Sequence, residues 1–189
     1  QYKNSVLTLN TGQYKVFSYI NNWCVDLVKS CKTHVDLQPV QFHVTGGAGT
    51  GKSHLISTIY QMAICMLKHE GSNPEAVRVL LTAPTGTAAF NIQASTLHST
   101  FLLPLGQTKV YKKLSDQKRN TLHCKLADLD ILIIDEMSMV GCNLLMTVDQ
   151  HIQEIKGFNK IFGGTSVLAF GDLYQLAPVC QKFVFEDAA

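Results

Sequence analysis

Charge is scarce in this sequence. Only 16% of its 189 residues are Asp, Glu, Lys or Arg, against about 25% in an average soluble domain. The formal net charge is +2, so the molecule as a whole is not drawn to nucleic acid, and any such contact must come from a local patch. Low charge together with 46% hydrophobic residues excludes a disordered or solvating segment and suits a domain with a buried sheet. Long apolar runs are missing too. No stretch reaches the roughly 18 uninterrupted apolar residues of a membrane span, and no N-terminal signal pattern is visible. Six cysteines occur, at 24, 31, 65, 124, 142 and 180. None forms a Cys-x-x-Cys pair or a zinc-ligand spacing. They read as reduced, mostly buried thiols of a cytosolic or nuclear protein. The seven histidines are scattered, and the neighbours His123 and Cys124 point apart on any regular element. There is no internal repeat and no low-complexity tract.

What is present is an alternation of two periods. Residues 1–12 read as an extended lead-in ending in a turn at Asn10, Thr11 and Gly12. Apolar residues then recur at Val16, Ile20, Cys24, Leu27 and Cys31, a spacing that predicts an amphipathic helix over 13–31. A strand is expected over 40–46, a helix over 52–69, a buried strand over 76–84, a short helix or turn at "TGTAAFNI", a strand at "DILIID", a helix over 143–156 and a strand at "TSVLAFGD". Residues 105–120 carry Lys109, Lys112, Lys113, Lys118 and Arg119 and are expected to form a basic loop or insertion. Strands alternating with helices imply an α/β fold, with a mostly parallel sheet covered by helices on both faces.

The chemistry starts at "GGAGTGKS". The pattern Gly-x-x-x-x-Gly-Lys-Ser fills residues 46–53 and would arise by chance in roughly one chain of this length in a hundred. Here it follows an expected strand and opens an expected helix, the context in which such a loop holds phosphates. Backbone N–H groups of Gly47, Ala48, Gly49, Thr50, Gly51, Lys52, Ser53 and His54 converge there, reinforced by the helix N-terminus. Lys52 is expected on the β- and γ-phosphates and Ser53 on Mg²⁺. A P-loop needs a carboxylate at a buried strand end, and "ILIIDE" supplies it. Asp135 is the expected Mg²⁺-side residue, with Glu136 placed to polarise an attacking water. Gln175, in "GDLYQ", is placed to touch the γ-phosphate or that water.

The segments "TAPTGTAAFNI", "STLHSTF", "IIDEMSMV" and "GDLYQLAPV" follow in an order and spacing that resemble superfamily-one DNA helicases, and in particular the Pif-one (petite integration frequency) family and its Helitron-transposon-like branch. The likeness runs from about residue 9 to 179. It implies a RecA-like P-loop NTPase fold, ATP with Mg²⁺ as the nucleotide, and 5′-to-3′ movement on single-stranded DNA. "LNTGQ" resembles the family's adenine-reading motif, which makes Gln13 the base reader; from the residues alone Gln13 is only a helix-start residue. "TAPTG" and "STLHS" resemble two strand-gripping motifs. They imply DNA contacts at Thr82, Pro84, Thr85, Gly86, Asn91, His98 and Ser99. Phe90 and Phe101 are read as core packing, with base stacking the alternative. Departures from the family pattern are Thr87, where lysine or valine is commoner, and Leu173 and Ala177, which replace phenylalanine and proline. Losing that proline ring is expected to loosen the turn that aims Gln175.

Arginine brings the reading back to scarcity. Only Arg78 and Arg119 occur, one in an expected strand and one in the basic segment. Neither matches the arginines that the family's second RecA-like half turns toward the γ-phosphate. The chain, which opens on Gln1, is therefore expected to be the first RecA-like motor domain (residues 13–189) of a longer, nuclear or mitochondrial protein. An oligomeric AAA-type machine would need a sensor arginine and a helical lid after the core. A non-enzymatic remnant would be marked by a replaced catalytic residue, yet Lys52, Ser53, Asp135, Glu136 and Gln175 are all intact.

Overall fold

The computed structural model describes residues 2–33, 37–68, 76–104, 111–179 and 182–184. Their elements run α1 (Tyr2–Val6), α2 (Thr11–Thr33), β1 (Gln41–Thr45), α3 (Lys52–Leu67), β2 (Val79–Ala83), α4 (Gly86–Asn91), β3 (Ser95–Thr96), α5 (Leu97–Thr100), α6 (Asp116–Leu126), β4 (Ile131–Ile134), α7 (Cys142–Lys156) and β5 (Ser166–Gly171), with single 3₁₀ turns at Met137–Met139 and Ile161–Gly164. Among the described residues the five strands form one sheet in the order β1-β5-β4-β2-β3, and each pairing is parallel.

The central strands explain the layering. Every residue of β4 and β5 is buried, as parallel strands between two helical layers must be. Successive side chains alternate between two apolar clusters. Ile131 and Ile133 join Leu168 and Phe170 against α2 and α3, where Phe17, Ile20, Ile56, Ile59 and Met62 lie. Leu132 and Ile134 join Val167 and Ala169 against α6 and α7, with Leu122, Leu126, Val148, Ile152 and Ile155. Truncating any of these large aliphatic side chains to alanine should cost roughly 2–5 kcal/mol. No helix of the described residues is long and apolar enough to cross a membrane.

Three expectations change. The lead-in is not extended, because α1 occupies Tyr2–Val6 and packs on α3. The turn read at residues 10–12 is instead the start of α2. Asn followed three residues later by Gln is also a capping-box pattern, and that reading wins here. Most of the basic segment's second half is helical: Ser115 accepts the Lys118 N–H and opens α6. So few of its positions are apolar that its period was hidden, and only Leu122 and Leu126 are buried. Residues 105–110, including Lys109, lie outside the described residues. The two-residue strand β3 was too short to leave a pattern.

Polar groups tie the amino edge of the sheet. Arg78, just before β2 rather than within it, gives Nε to Asp130 Oδ2 at 2.6 Å and Nη1 to the Leu67 carbonyl at 3.0 Å. Lys156 Nζ donates to the Leu129 carbonyl at 2.7 Å and to Thr165 Oγ1 at 3.1 Å. Both arms of the Arg78–Asp130 pair are mostly shielded from water. Asp130→Ala would leave the guanidinium without its anion and should lower stability by about 2–3 kcal/mol. Urea denaturation checks this, and nucleotide affinity should be unchanged because the pair lies at the edge opposite the P-loop.

Candidate nucleotide-binding site

The carboxyl ends of β1, β4 and β5 lie side by side, the edge at which open α/β sheets bind ligands. Beyond β1 the chain stays tied to β5, with the Gly46 N–H donating to the Gly171 carbonyl at 3.2 Å. The loop then turns through two left-handed residues, Gly49 (φ 73°) and Gly51 (φ 81°), a conformation in which a side chain is strained. Gly51 precedes α3, and no side chain caps that helix. Its first N–H groups are therefore open to an anion. Gly47, Ala48, Gly49 and Thr50 are exposed, as are Ser53 and His54 at the start of the helix. Lys52 Nζ is curled back over the loop, donating to the carbonyls of Gly46 and, at 3.0 Å, Gly47. His54 Nε2 lies 2.8 Å from Thr8 Oγ1, which itself donates to the Ser5 carbonyl. The structure thus adds Thr8, which left no sequence signal.

Asp135 continues β4. Its N–H donates to the Thr82 carbonyl at 2.9 Å, and its Oδ1 accepts the Glu136 N–H at 2.9 Å. Burial pushes its carboxyl above the ordinary carboxylate range, with Lys52 pulling the other way. The Gly46–Gly171 hydrogen bond and the pairing of β4 with β5 set the P-loop and the β4 end at one edge of the sheet. Glu136 is held at φ 51°, ψ 46°, a left-handed conformation costing a non-glycine residue about 1–3 kcal/mol. Close approach explains Gly171, since a Cβ there would sit 2.9 Å from the Met137 nitrogen. Beyond β5, Asp172 organises the turn that carries Gln175. Its carbonyl accepts the Gln175 N–H at 2.9 Å and its Oδ1 accepts the Tyr174 N–H at 3.1 Å. That Asx turn forms with Ala177 in place.

Gln13 lies against the P-loop, with Nε2 2.9 Å from the Thr50 carbonyl and 3.2 Å from that of Gly51. Its partner Asn10, expected in a turn, caps α2 through reciprocal bonds with Gln13.

The expected strand-gripping residues divide. Thr82 is a correction: it is 0% exposed and its hydroxyl donates to the Ile133 carbonyl inside the sheet, so it holds β2 to β4 and is closed to DNA. Pro84, Thr85 and Gly86 lead out of β2, and Thr85 Oγ1 accepts the Ala88 N–H to start α4. Beside them β3 is paired with β2 through Thr82↔Ser95 and Ala83↔Thr96. Thr96 Oγ1 accepts the Ser99 N–H to start α5. Gly86, Asn91 and Ser99 are exposed and His98 is half-buried. Phe101 is core at 0% exposure, as expected, but Phe90 is 83% exposed. Phe90 falls outside the apolar face of so short a helix, whose one buried residue is Ala89.

Hard oxygen donors suit Mg²⁺, and the residues fit that ion. Ser53 has an exposed hydroxyl, and Asp135 has a second carboxylate oxygen left after Oδ1 is taken by Glu136. A P-loop, an acid pair at the end of a buried strand one place removed from it in the sheet, and a parallel sheet between two helical layers define a RecA-like P-loop NTPase domain.

The model of the PIF1-like helicase family matches residues 8–186, and the chain belongs to that family. It is 40% identical over 147 residues to the ATP-dependent DNA helicase PIF1 of Candida albicans, covering 77% of this chain and 15% of that protein. With the helicase RRM3 of Saccharomyces cerevisiae the identity is 36% over 141 residues, covering 73% and 18%. The crystal structure of Candida albicans Pif1 superposes with a TM-score of 0.68 at 32% identity, covering 95% of this chain and 36% of that one. Pif1 from Bacteroides, solved in complex with ADP-AlF3 and ssDNA, superposes with a TM-score of 0.56 at 34% identity, covering 83% and 34%. The chain thus spans a small part of the curated relatives and about a third of the solved chains.

Two substitutions test the site. Lys52→Ala should abolish titratable binding of a fluorescent ATP analogue. For Asp135 the sign follows from burial. Its raised pKa means that the fold disfavours the charged carboxylate relative to the unfolded chain, so its stabilising share is present at acidic pH and is lost as pH rises through that raised pKa. At neutral pH the ionised carboxylate is a net cost. Asp135→Asn should therefore match or exceed the wild-type thermal midpoint at pH 7 without ligand, while Mg²⁺-dependent ATP binding is lost.

Proposed function

We propose that this chain is the ATP-binding first motor domain of a 5′-to-3′ DNA helicase. The observation that carries the reading is that the open N-terminus of α3, which follows β1, and the Asp135–Glu136 pair, which follows β4, lie at the same edge of the parallel sheet on either side of β5. The phosphates of ATP lie on the N–H groups of residues 47–53, and Lys52 exchanges the Gly46 and Gly47 carbonyls for phosphate oxygens. Ser53 and Asp135 hold Mg²⁺, which when bound draws charge from the phosphate oxygens. Glu136 takes the proton of the attacking water, its carboxylate aimed by the left-handed turn. Gln175 faces the same space from β5 and responds to the γ-phosphate. Gln13 reads the adenine.

Single-stranded DNA runs across the starts of α4 and α5, gripped by Pro84, Thr85, Gly86, Asn91, His98 and Ser99. The exposure of Phe90 supports a stacking role there. Past Asp172 the chain shows Tyr174, Leu176 and Val179, with Tyr174 100% exposed. These apolar groups suit a second RecA-like domain, whose closure on ATP and DNA advances the motor. The Helitron-transposon-like branch and a nuclear or mitochondrial address belong to the same proposal and rest on motif wording and composition.

Each arginine of the chain is paired with a carboxylate outside the site, so neither is set on a γ-phosphate. Arg78 is engaged at the amino edge, and Arg119 pairs with Asp116 on α6 at 2.9 Å. Arginines of that kind are worth about 10³–10⁵ in rate in related enzymes. Residues 1–189 alone should therefore hydrolyse ATP very slowly, with little response to DNA. A longer chain carrying the second half should gain DNA-stimulated turnover, and Glu136→Gln in it should bind ATP without hydrolysing it. Steady-state phosphate release, with and without an oligonucleotide, measures all three. Robust DNA-stimulated turnover by residues 1–189 would reject the two-domain reading.

A second test concerns DNA. Loss of one base–aromatic stack is worth about 1–3 kcal/mol, so Phe90→Ala should weaken oligothymidine binding by about fivefold or more in fluorescence anisotropy and leave ATP affinity unchanged.

A further inference from the structure

Gln13 is the third residue of α2, and each of its side-chain polar atoms is engaged. Its Oε1 accepts the Asn10 N–H at 2.9 Å, while its own N–H donates to Asn10 Oδ1 at 2.9 Å. This reciprocal cap fixes the direction of the amide. The amide NH₂ then faces the P-loop, with Nε2 donating to the Thr50 carbonyl at 2.9 Å and to the Gly51 carbonyl at 3.2 Å. The approach is close: a Cβ on Gly51 would fall 2.5 Å from Nε2.

The consequence follows from the planar trans peptide, in which the C=O of one residue and the N–H of the next point in opposite directions. Holding the Thr50 carbonyl aims the Gly51 N–H the other way, and the Gly51 carbonyl, shared with the Leu55 N–H of α3 at 3.1 Å, is held so that the Lys52 N–H likewise points away. Both N–H groups are thereby turned from Gln13 toward the phosphate cradle. We propose that Gln13 is a positioning residue for the P-loop, aiming the Gly51 and Lys52 N–H groups at the phosphates of any nucleotide, whatever its base. The inference rests on the reading of residues 46–53 as a triphosphate site. It also sets a limit on adenine reading. A bidentate contact to the base needs one Nε2 proton, and both protons are on loop carbonyls, so the base must take one of them. The Gly51 bond, at 3.2 Å, is the longer of the two.

Two substitutions separate the cap from the positioning. Gln13→Ala removes both. Gln13→Glu keeps an oxygen for the Asn10 N–H, so α2 stays capped, but brings no donor to the loop. In the chain without ligand, ¹⁵N order parameters of residues 49–53 should fall from about 0.85 to below about 0.6 in both variants. In titrations with Mg·ATP, Mg·GTP and Mg·tripolyphosphate, which has no base, all three affinities should fall by about tenfold, the worth of one to two hydrogen bonds. Unchanged order parameters in Gln13→Glu would overturn the proposal. So would a loss confined to ATP with GTP and tripolyphosphate unaffected, which would make Gln13 a base reader alone. If the wild-type chain bound none of the three ligands, the phosphate reading would fall, and the order parameters would still decide whether Gln13 orders the loop.

Discussion

Four consecutive aliphatic side chains, Ile131 to Ile134, are shut off from water on both faces of the sheet, and the placing of the chemistry depends on that burial. A strand buried on two sides has one register that satisfies both clusters, because a slip of one residue would exchange its faces. With β4 locked between β2 and β5, its next residue must emerge at the carboxyl edge. That residue is Asp135. The same pairing brings the ends of β5 and, through it, β1 to one level, so the P-loop, the acid pair and the Gln175 turn are neighbours although some 120 residues separate the first from the last.

The two edges of the sheet use polar groups differently. At the amino edge charges are matched at short range, as in Arg78 with Asp130, and carbonyls are covered by Lys156. At the carboxyl edge they are left in excess: an uncapped helix, a buried carboxylate with an oxygen to spare and a glutamate in a left-handed turn. Local stability is given up where a ligand would restore it. The expected gain on Asp135→Asn is a direct expression of this division.

How much of this was legible in the sequence depended on whether a signal was local and periodic. The strands at "ILII" and "SVLAFG", the helices α3 and α7 and the whole P-loop were readable because burial and glycine geometry act on short windows. Asp135 and Glu136 were readable because they follow such a strand. Thr82 was misjudged because motif position and side-chain direction are separate matters: it alternates inward, and its hydroxyl is used by Ile133. Phe90 was read as core from its residue type, but α4 offers one buried position and Ala89 takes it. Gln13's grip on residues 50 and 51 joins parts of the chain 37 and 38 positions apart, a distance at which no pattern of periodicity operates.

Gly171 carries a mechanical meaning. With no side chain there, the end of β5 lies directly beneath the backbone of Met137, the residue after Glu136. At this approach of the β5 end to the turn after β4, residue 171 places no side chain between the two. Even a methyl group at 171 would crowd the Met137 nitrogen at 2.9 Å and push the two apart, so the absence of a side chain at this one position sets where the turn carrying Glu136 can sit.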